Sequence, residues 1–76
     1  MKELVAHMAE ALVDKPEQVR VSVNETDDMI GVELTVAQED LGKVIGKQGR
    51  TARAMRSILS ASAARDNKKS RLDILE

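Results

Sequence analysis

The chain has 76 residues, a formal net charge of −1, no cysteine and no phenylalanine, tyrosine or tryptophan. That length makes one small domain with a thin margin of stability. Its core must come from an apolar fraction of 42% that contains only Val, Ile, Leu, Met and Ala. Without cysteine there is neither a disulfide staple nor a thiolate metal site. Without aromatic residues, base recognition by stacking on Phe or Tyr is disfavoured. The apolar runs are too short to span a membrane, and the opening residues carry no signal-peptide pattern, so a cytoplasmic location is the expectation. The net charge alone argues against indiscriminate binding of polyanions, but the charge is unevenly placed. Residues 1–40 hold three cations and ten acids, and residues 41–76 hold nine cations and three acids. Such asymmetry points to one face that meets a polyanion while the rest keeps the protein soluble.

In chain order, Leu4, Val5, Met8, Ala9 and Leu12 recur at helical spacing and predict an amphipathic helix over residues 3–14. Pro16 closes it, because the residue before a proline is pushed out of helical geometry. Val19, Val21 and Val23 alternate with Arg20, Ser22 and Asn24, the pattern of a half-buried strand. A polar turn over residues 24–28 leads to a second alternating strand carrying Ile30, Val32, Leu34 and Val36, and the short connection makes the pair an antiparallel hairpin. A short helix over residues 38–45 follows, with Leu41, Val44 and Ile45 on one face, then a glycine turn, then a longer helix from about Arg50 to Ala64. A polar loop over residues 66–70 precedes a last strand containing Leu72 and Ile74. Roughly thirty residues and two helices separate the second and third strands, which favours a right-handed crossover and parallel pairing. The expected fold class is α+β, a two-layer sandwich in the order α-β-β-α-α-β, with a three-stranded mixed sheet covered by three helices.

The most informative stretch is residues 42–56, which holds three of the four glycines and five cations, with no acid between Asp40 and Asp66. At its centre, Gly46 and Gly49 stand three apart and allow a tight turn and close approach of another molecule. A helix beginning just after them points free N–H groups outward, a ready site for an anion. Lys47 inside the turn and Arg50 just past it add formal charge, and Gln48 adds neutral hydrogen-bond donors. The bare requirement for glycine in a helix–turn–helix connection explains Gly46 and Gly49 but does not call for the flanking cations. Lys43, Arg53 and Arg56 flank the turn, with Arg50 and Arg53 on neighbouring positions of one helix face. Val44 and Ile45 divide between core and an apolar floor on which bases could lie flat. Leu72 and Ile74 could complete that floor or belong wholly to the core.

The segment Asp40-Leu41-Gly42-Lys43-Val44-Ile45-Gly46-Lys47-Gln48-Gly49-Arg50-Thr51 resembles the GxxG region of the KH family of single-stranded nucleic-acid binders, whose loop clamps about four nucleotides. The element order is similar to the type II arrangement of the KH fold over essentially the whole chain, and closest to small single-domain bacterial proteins of the KhpA type. The resemblance implies single-stranded RNA binding through Lys43, Ile45, Gly46, Lys47, Gln48, Gly49, Arg50, Arg53, Lys68, Lys69 and Leu72. Lys68 and Lys69 enter because the loop before the last strand is expected to border the groove. It also implies a homodimer or a larger KH-containing partner of the KhpB type, and a role as an RNA chaperone in cell-wall homeostasis and cell shape. Many KH domains have Ile three residues after the second glycine, where this chain has Ala52. Five small residues in a row, 60–64, would let a second copy approach closely, and a homodimer using this helix end and the adjacent last strand is expected.

Other classes fit less well. A phosphate-binding P-loop needs four residues between its glycines and Ser or Thr after its Lys, whereas Gly42 and Gly46 enclose three residues and Gln48 follows Lys47. His7 is the only histidine, with no second ligand of zinc type beside it. The adjacent acids Asp27-Asp28 and Glu39-Asp40 suit a turn and a helix start. No enzyme and no cofactor is expected. Two further readings stay open: a protein-interaction adapter whose fold mainly dimerises, and a ribosome-associated factor.

Overall fold

A computed structural model of the protein describes residues 1–75. The first helix, α1, runs Lys2–Leu12 and buries Val5 and Ala9. Leu4 and Leu12, which belong to the same apolar stripe, lie on its margins and stay more than one third exposed. Pro16 opens a single 3₁₀ turn, Pro16–Gln18, where its fixed φ suits the first position. Strand β1, Arg20–Glu25, and strand β2, Met29–Thr35, form the antiparallel hairpin, in a register that sets Val21 opposite Leu34 and Val23 opposite Val32.

After β2, a 3₁₀ turn at Gln38–Asp40 leads directly into the short helix α2, Leu41–Ile45. The long helix α3, Arg50–Ala64, buries Ala52, Met55, Leu59 and Ala63. These positions repeat every three or four residues, which gives the helix one apolar face. Strand β3, Lys69–Leu75, pairs in parallel with β2, Val32 facing Leu72, so the sheet order is β1-β2-β3. The strand starts earlier than its apolar pattern suggests, because the amide of Lys69 already donates to Asp28 O at 2.9 Å.

The core is one cluster of Val5, Ala9, Ile30, Val32, Leu34, Val36, Val44, Met55, Leu59, Ala63 and Leu72. The alternation along β2 sends Ile30, Val32 and Leu34 to the helices and leaves the other face of the sheet open. The fold is therefore the two-layer α-β-β-α-α-β sandwich expected for a type II KH domain, with a mixed sheet and three helices. This arrangement puts the glycine turn at one end of α3, held between α2 and α3.

Candidate nucleic-acid interface

The turn between α2 and α3 is built from left-handed backbone. Gly46 has φ 76° and ψ 172°, a region that side chains essentially exclude. A Cβ there would also lie 2.6 Å from Thr51 Cβ and 2.9 Å from Thr51 N, so glycine is required twice over. Gln48 (φ 57°, ψ 26°) and Gly49 (φ 73°, ψ 13°) follow with two consecutive positive φ values. Together with the Arg50 amide donating to Lys47 O, they form a turn of the type I′ kind. Nothing lies within 4 Å of a Cβ on Gly49, so this glycine is needed for its φ alone. Gln48 accepts a strained conformation with no glycine to ease it, the kind of outlier that clusters at ligand sites.

The turn is braced from both sides. Gly46 N donates to Gly42 O at 2.8 Å, and Gly49 N donates to Gly46 O at 3.1 Å. Arg53 Nη2 donates to Gln48 O at 2.8 Å, so this arginine holds the turn from the first turn of α3 as well as adding charge beside it. Among the described residues, the amides of Lys47 and Gln48 have no protein acceptor, and Lys47 and Arg50 make no ion pair. Lys47, Gln48 and Arg50 are all exposed. The result is a projecting turn with two unengaged amides and two unneutralised cations at the start of a helix, an arrangement suited to phosphate oxygens. Ile45, at the end of α2, is 38% exposed beside it and supplies apolar surface, whereas Val44 is fully buried in the core.

Lys43 has a different environment. Its ammonium bonds the Asp14 carboxylate and lies 3.4 Å from Asp40 Oδ1. The Asp14 hydrogen bond and the charges of Asp14 and Asp40 hold its pKa above the ordinary lysine value against the opposing effect of burial. Asp40 itself is buried at the N-terminus of α2 and accepts the Lys15 amide at 3.0 Å. Burial pushes its carboxyl pKa up, but the Asp14 and Lys15 amides and the Lys43 ammonium together hold it below the ordinary range. Lys15 and Glu39 pair at 2.6 Å, which lowers the Glu39 pKa through that hydrogen bond. This network fastens α2, and with it the turn, to the connection between α1 and β1.

Lys68, Lys69 and Leu72 are placed apart from the turn. Lys68 and Lys69 follow the C-terminal end of α3, at the opposite end of a 15-residue helix about 22 Å long. Lys68 also pairs with Glu25 across the end of the hairpin, which lowers the Glu25 pKa chiefly through that hydrogen bond. The Leu72 side chain belongs to the core, because strand alternation turns it toward the helices, where it is 3% exposed. It is the Leu72 carbonyl that faces outward, where Arg56 donates to it. Arg56 thus reaches the open edge of the sheet, and Ala52 is buried on α3.

No group of three or more potential metal ligands occurs among the described residues, and no helix among them is long and apolar enough to cross a membrane. A family model described as the KH domain of KhpA and KhpB matches residues 2–74. The RNA-binding protein KhpA of Halalkalibacterium halodurans is 51% identical over 76 residues, which is the full length of both chains. That of Clostridium perfringens is 51% identical over 75 residues, 99% of this chain and all of its own. That of Chlamydia trachomatis is 49% identical over 76 residues, all of this chain and 97% of its own. No solved structure matches the chain. With the glycine turn, the element order and a match across nearly its full length, the chain belongs to the KhpA/KhpB KH-domain family.

Proposed function

We propose that the protein binds single-stranded RNA and acts as an RNA chaperone, clamping the phosphate backbone at the turn of Gly46, Lys47, Gln48 and Gly49. The observation that carries this reading is the strained, exposed turn whose Lys47 and Gln48 amides and Lys47 and Arg50 charges are unengaged by the rest of the chain. Arg53 braces the turn and adds charge, and Ile45 offers an apolar edge on which a base could rest. Lys43 contributes less, because Asp14 and Asp40 already hold it. The names of the KhpA relatives as RNA-binding proteins support the same reading.

Changing Lys47 and Gln48 together to Asp tests it. Aspartate tolerates the left-handed conformation of position 48, so the fold survives. The change places two anions where phosphate would sit, and affinity for a short unstructured RNA falls by more than about tenfold. Unchanged affinity in a folded double variant would remove the clamp and favour the adapter reading.

The apolar edge of the helical layer supports a second copy of the chain as a partner. Leu4 of α1 and Ile58, Ala61 and Ser62 of α3 line a shallow groove, with Ile58 47% exposed. Of the small residues at the end of α3, Ala63 belongs to the domain's own core, and the groove is lined by α1 and α3 with no residue of β3. A homodimer that forms here is disrupted by Ala61→Arg, read as a change of mass in solution. A larger KH-containing chain of the KhpB type could meet the same surface.

A further inference from the structure

The face of the sheet turned away from the helices carries a depression of about 200 Å³. Its floor is Gly31 in the middle strand β2, whose neighbours Ile30 and Val32 point into the core. Nothing in the fold calls for glycine there. The register runs unbroken through it, with Asn24 opposite on β1 and Arg71 opposite on β3, so there is no bulge. Only Gly46 and Gly49 are glycines of positive φ among the described residues, so the backbone at Gly31 suits other residues too. A Cβ would lie 3.6 Å from Asn24 O and 3.9 Å from Arg71 Nη2, which are ordinary contacts. Glycine weakens a strand interior, and an unforced one often marks a place where another molecule approaches the backbone closely.

The walls of the depression are polar and opposite in charge. Glu33 stands two residues along β2 from Gly31, about 7 Å away, and Arg71 stands directly across on β3, about 5 Å away. The two therefore meet the floor from directions roughly at right angles. Glu33 is exposed and pairs with no cation among the described residues. Arg71 Nε lies 3.2 Å from Asp73 Oδ2. That pair steadies the guanidinium beside Gly31, and its outer nitrogens pair with no acid among the described residues. Asn24 and the polarizable thioether of Met29 close the other sides. The volume is below the about 300–1,000 Å³ of sites for drug-sized ligands and suits a single planar base.

We propose that this depression on the open face of the sheet binds a guanine base, lying flat on the Gly31 backbone between Glu33 and Arg71. Guanine meets each wall with a pair of groups. Its N1–H and N2 amino group donate to the Glu33 carboxylate, and its O6 and N7 accept from the Arg71 guanidinium. These two edges adjoin around the base, as the two walls adjoin around Gly31. Adenine sets its N1 acceptor against the carboxylate and its amino donor against the guanidinium. Cytosine and uracil lack the acceptor that N7 supplies. Polar groups left unpaired in the contact are what make such a site discriminate. A free nucleotide and a guanosine within a strand present the same edges. The site lies across the sheet from the helical layer that holds the glycine turn, and it does not depend on the reading of that turn.

Titration of isotope-labelled protein with guanosine and adenosine monophosphates, followed by nuclear magnetic resonance, tests the free nucleotide. The Gly31 and Arg71 amide signals shift, and guanosine monophosphate binds about tenfold more tightly than adenosine monophosphate, the size expected of one bidentate contact. Glu33→Gln brings the two to within about twofold, because a glutamine amide no longer accepts both guanine donors. Gly31→Val fills the floor and removes binding without lowering the melting temperature, since valine suits a strand better than glycine. A second arm compares uridine octamers with and without one central guanosine. Where a strand supplies the base, the guanosine octamer binds more tightly and Gly31→Val removes that gain. Selectivity among the monophosphates assigns a free nucleotide, and selectivity confined to the octamers assigns a base in a strand. The Lys47 and Gln48 double change weakens both octamers together and leaves the monophosphates unaffected. No guanine preference in either arm, or a preference that survives Gly31→Val, would overturn the site while leaving the turn in place. Octamers that fail to bind at all overturn the RNA reading, and the monophosphates then decide the site alone.

Discussion

At the N-terminal end of α3, Lys47 and Arg50 carry charges that no acid among the described residues offsets. At the other end, about 22 Å away along the helix, Lys68 is neutralised by Glu25, with Lys69 beside it. The two basic clusters read alike in the sequence, yet only the first combines free charge with unengaged amides and left-handed backbone. Lys43 repeats the lesson at close range. It is four residues from Lys47, but its ammonium is held by Asp14 and Asp40 and fastens α2 in place. Charge available to a ligand is what remains after the fold has used its share, and the acids of the first half of the chain decide which lysines are left.

The comparison predicts that the turn is also the more exacting of the two ends. Gly46→Ala must accept both a glycine-only conformation and an approach to Thr51 backbone, and costs about 3 kcal/mol. In a domain of this size that lowers the melting temperature by roughly 15 °C. Gly49→Ala meets only the φ penalty, with open space around the new Cβ, and costs about 1 kcal/mol. If thermal unfolding gave the same loss for the two variants, the distinction between a packed and an open glycine would be wrong.

Acid sensitivity separates the network that positions α2 from the far-end pair. Asp40, Glu39 and Glu25 all have pKa values lowered by folding, so each contributes stability at neutral pH that is lost as the pH falls below the ordinary carboxylate range. Asp40 is the buried member and bonds backbone amides, so Asp40→Asn removes more of the acid-dependent loss in melting temperature than Glu25→Gln does. The smallest effect is expected at the far end itself. Glu25→Gln releases Lys68 from an exposed pair, and exposed pairs contribute little, so melting temperature at neutral pH and RNA affinity both stay close to wild type. A gain in affinity would bring Lys68 back into the interface.

Most of the fold was legible because its signals are local. Alternation gave β1 and β2, the length of the crossover gave the parallel third strand, and α3 begins and ends at the residues its pattern indicated. Gly46 and Gly49 were legible too, because few other residues could occupy those angles. What the sequence did not carry was pairing between distant residues. Asp14 with Lys43 is 29 positions apart and Glu25 with Lys68 is 43. Leu72 was ambiguous because a strand residue that faces a core and one that floors a groove are both apolar. The Arg56 contact was illegible for a related reason: its partner is a backbone carbonyl, which leaves no trace in residue identity.

The most direct test of the contrast between the two ends is the salt dependence of RNA affinity in two charge-removing double variants. Each lysine or arginine that neutralises a phosphate on a single strand contributes about 0.7 to the slope of log affinity against log salt. Replacing Lys47 and Arg50 by Met should reduce the magnitude of that slope by about 1.4, while replacing Lys68 and Lys69 by Met should leave it unchanged. Equal reductions from the two pairs, or a larger one from Lys68 and Lys69, would contradict the account that phosphate is held at the glycine turn.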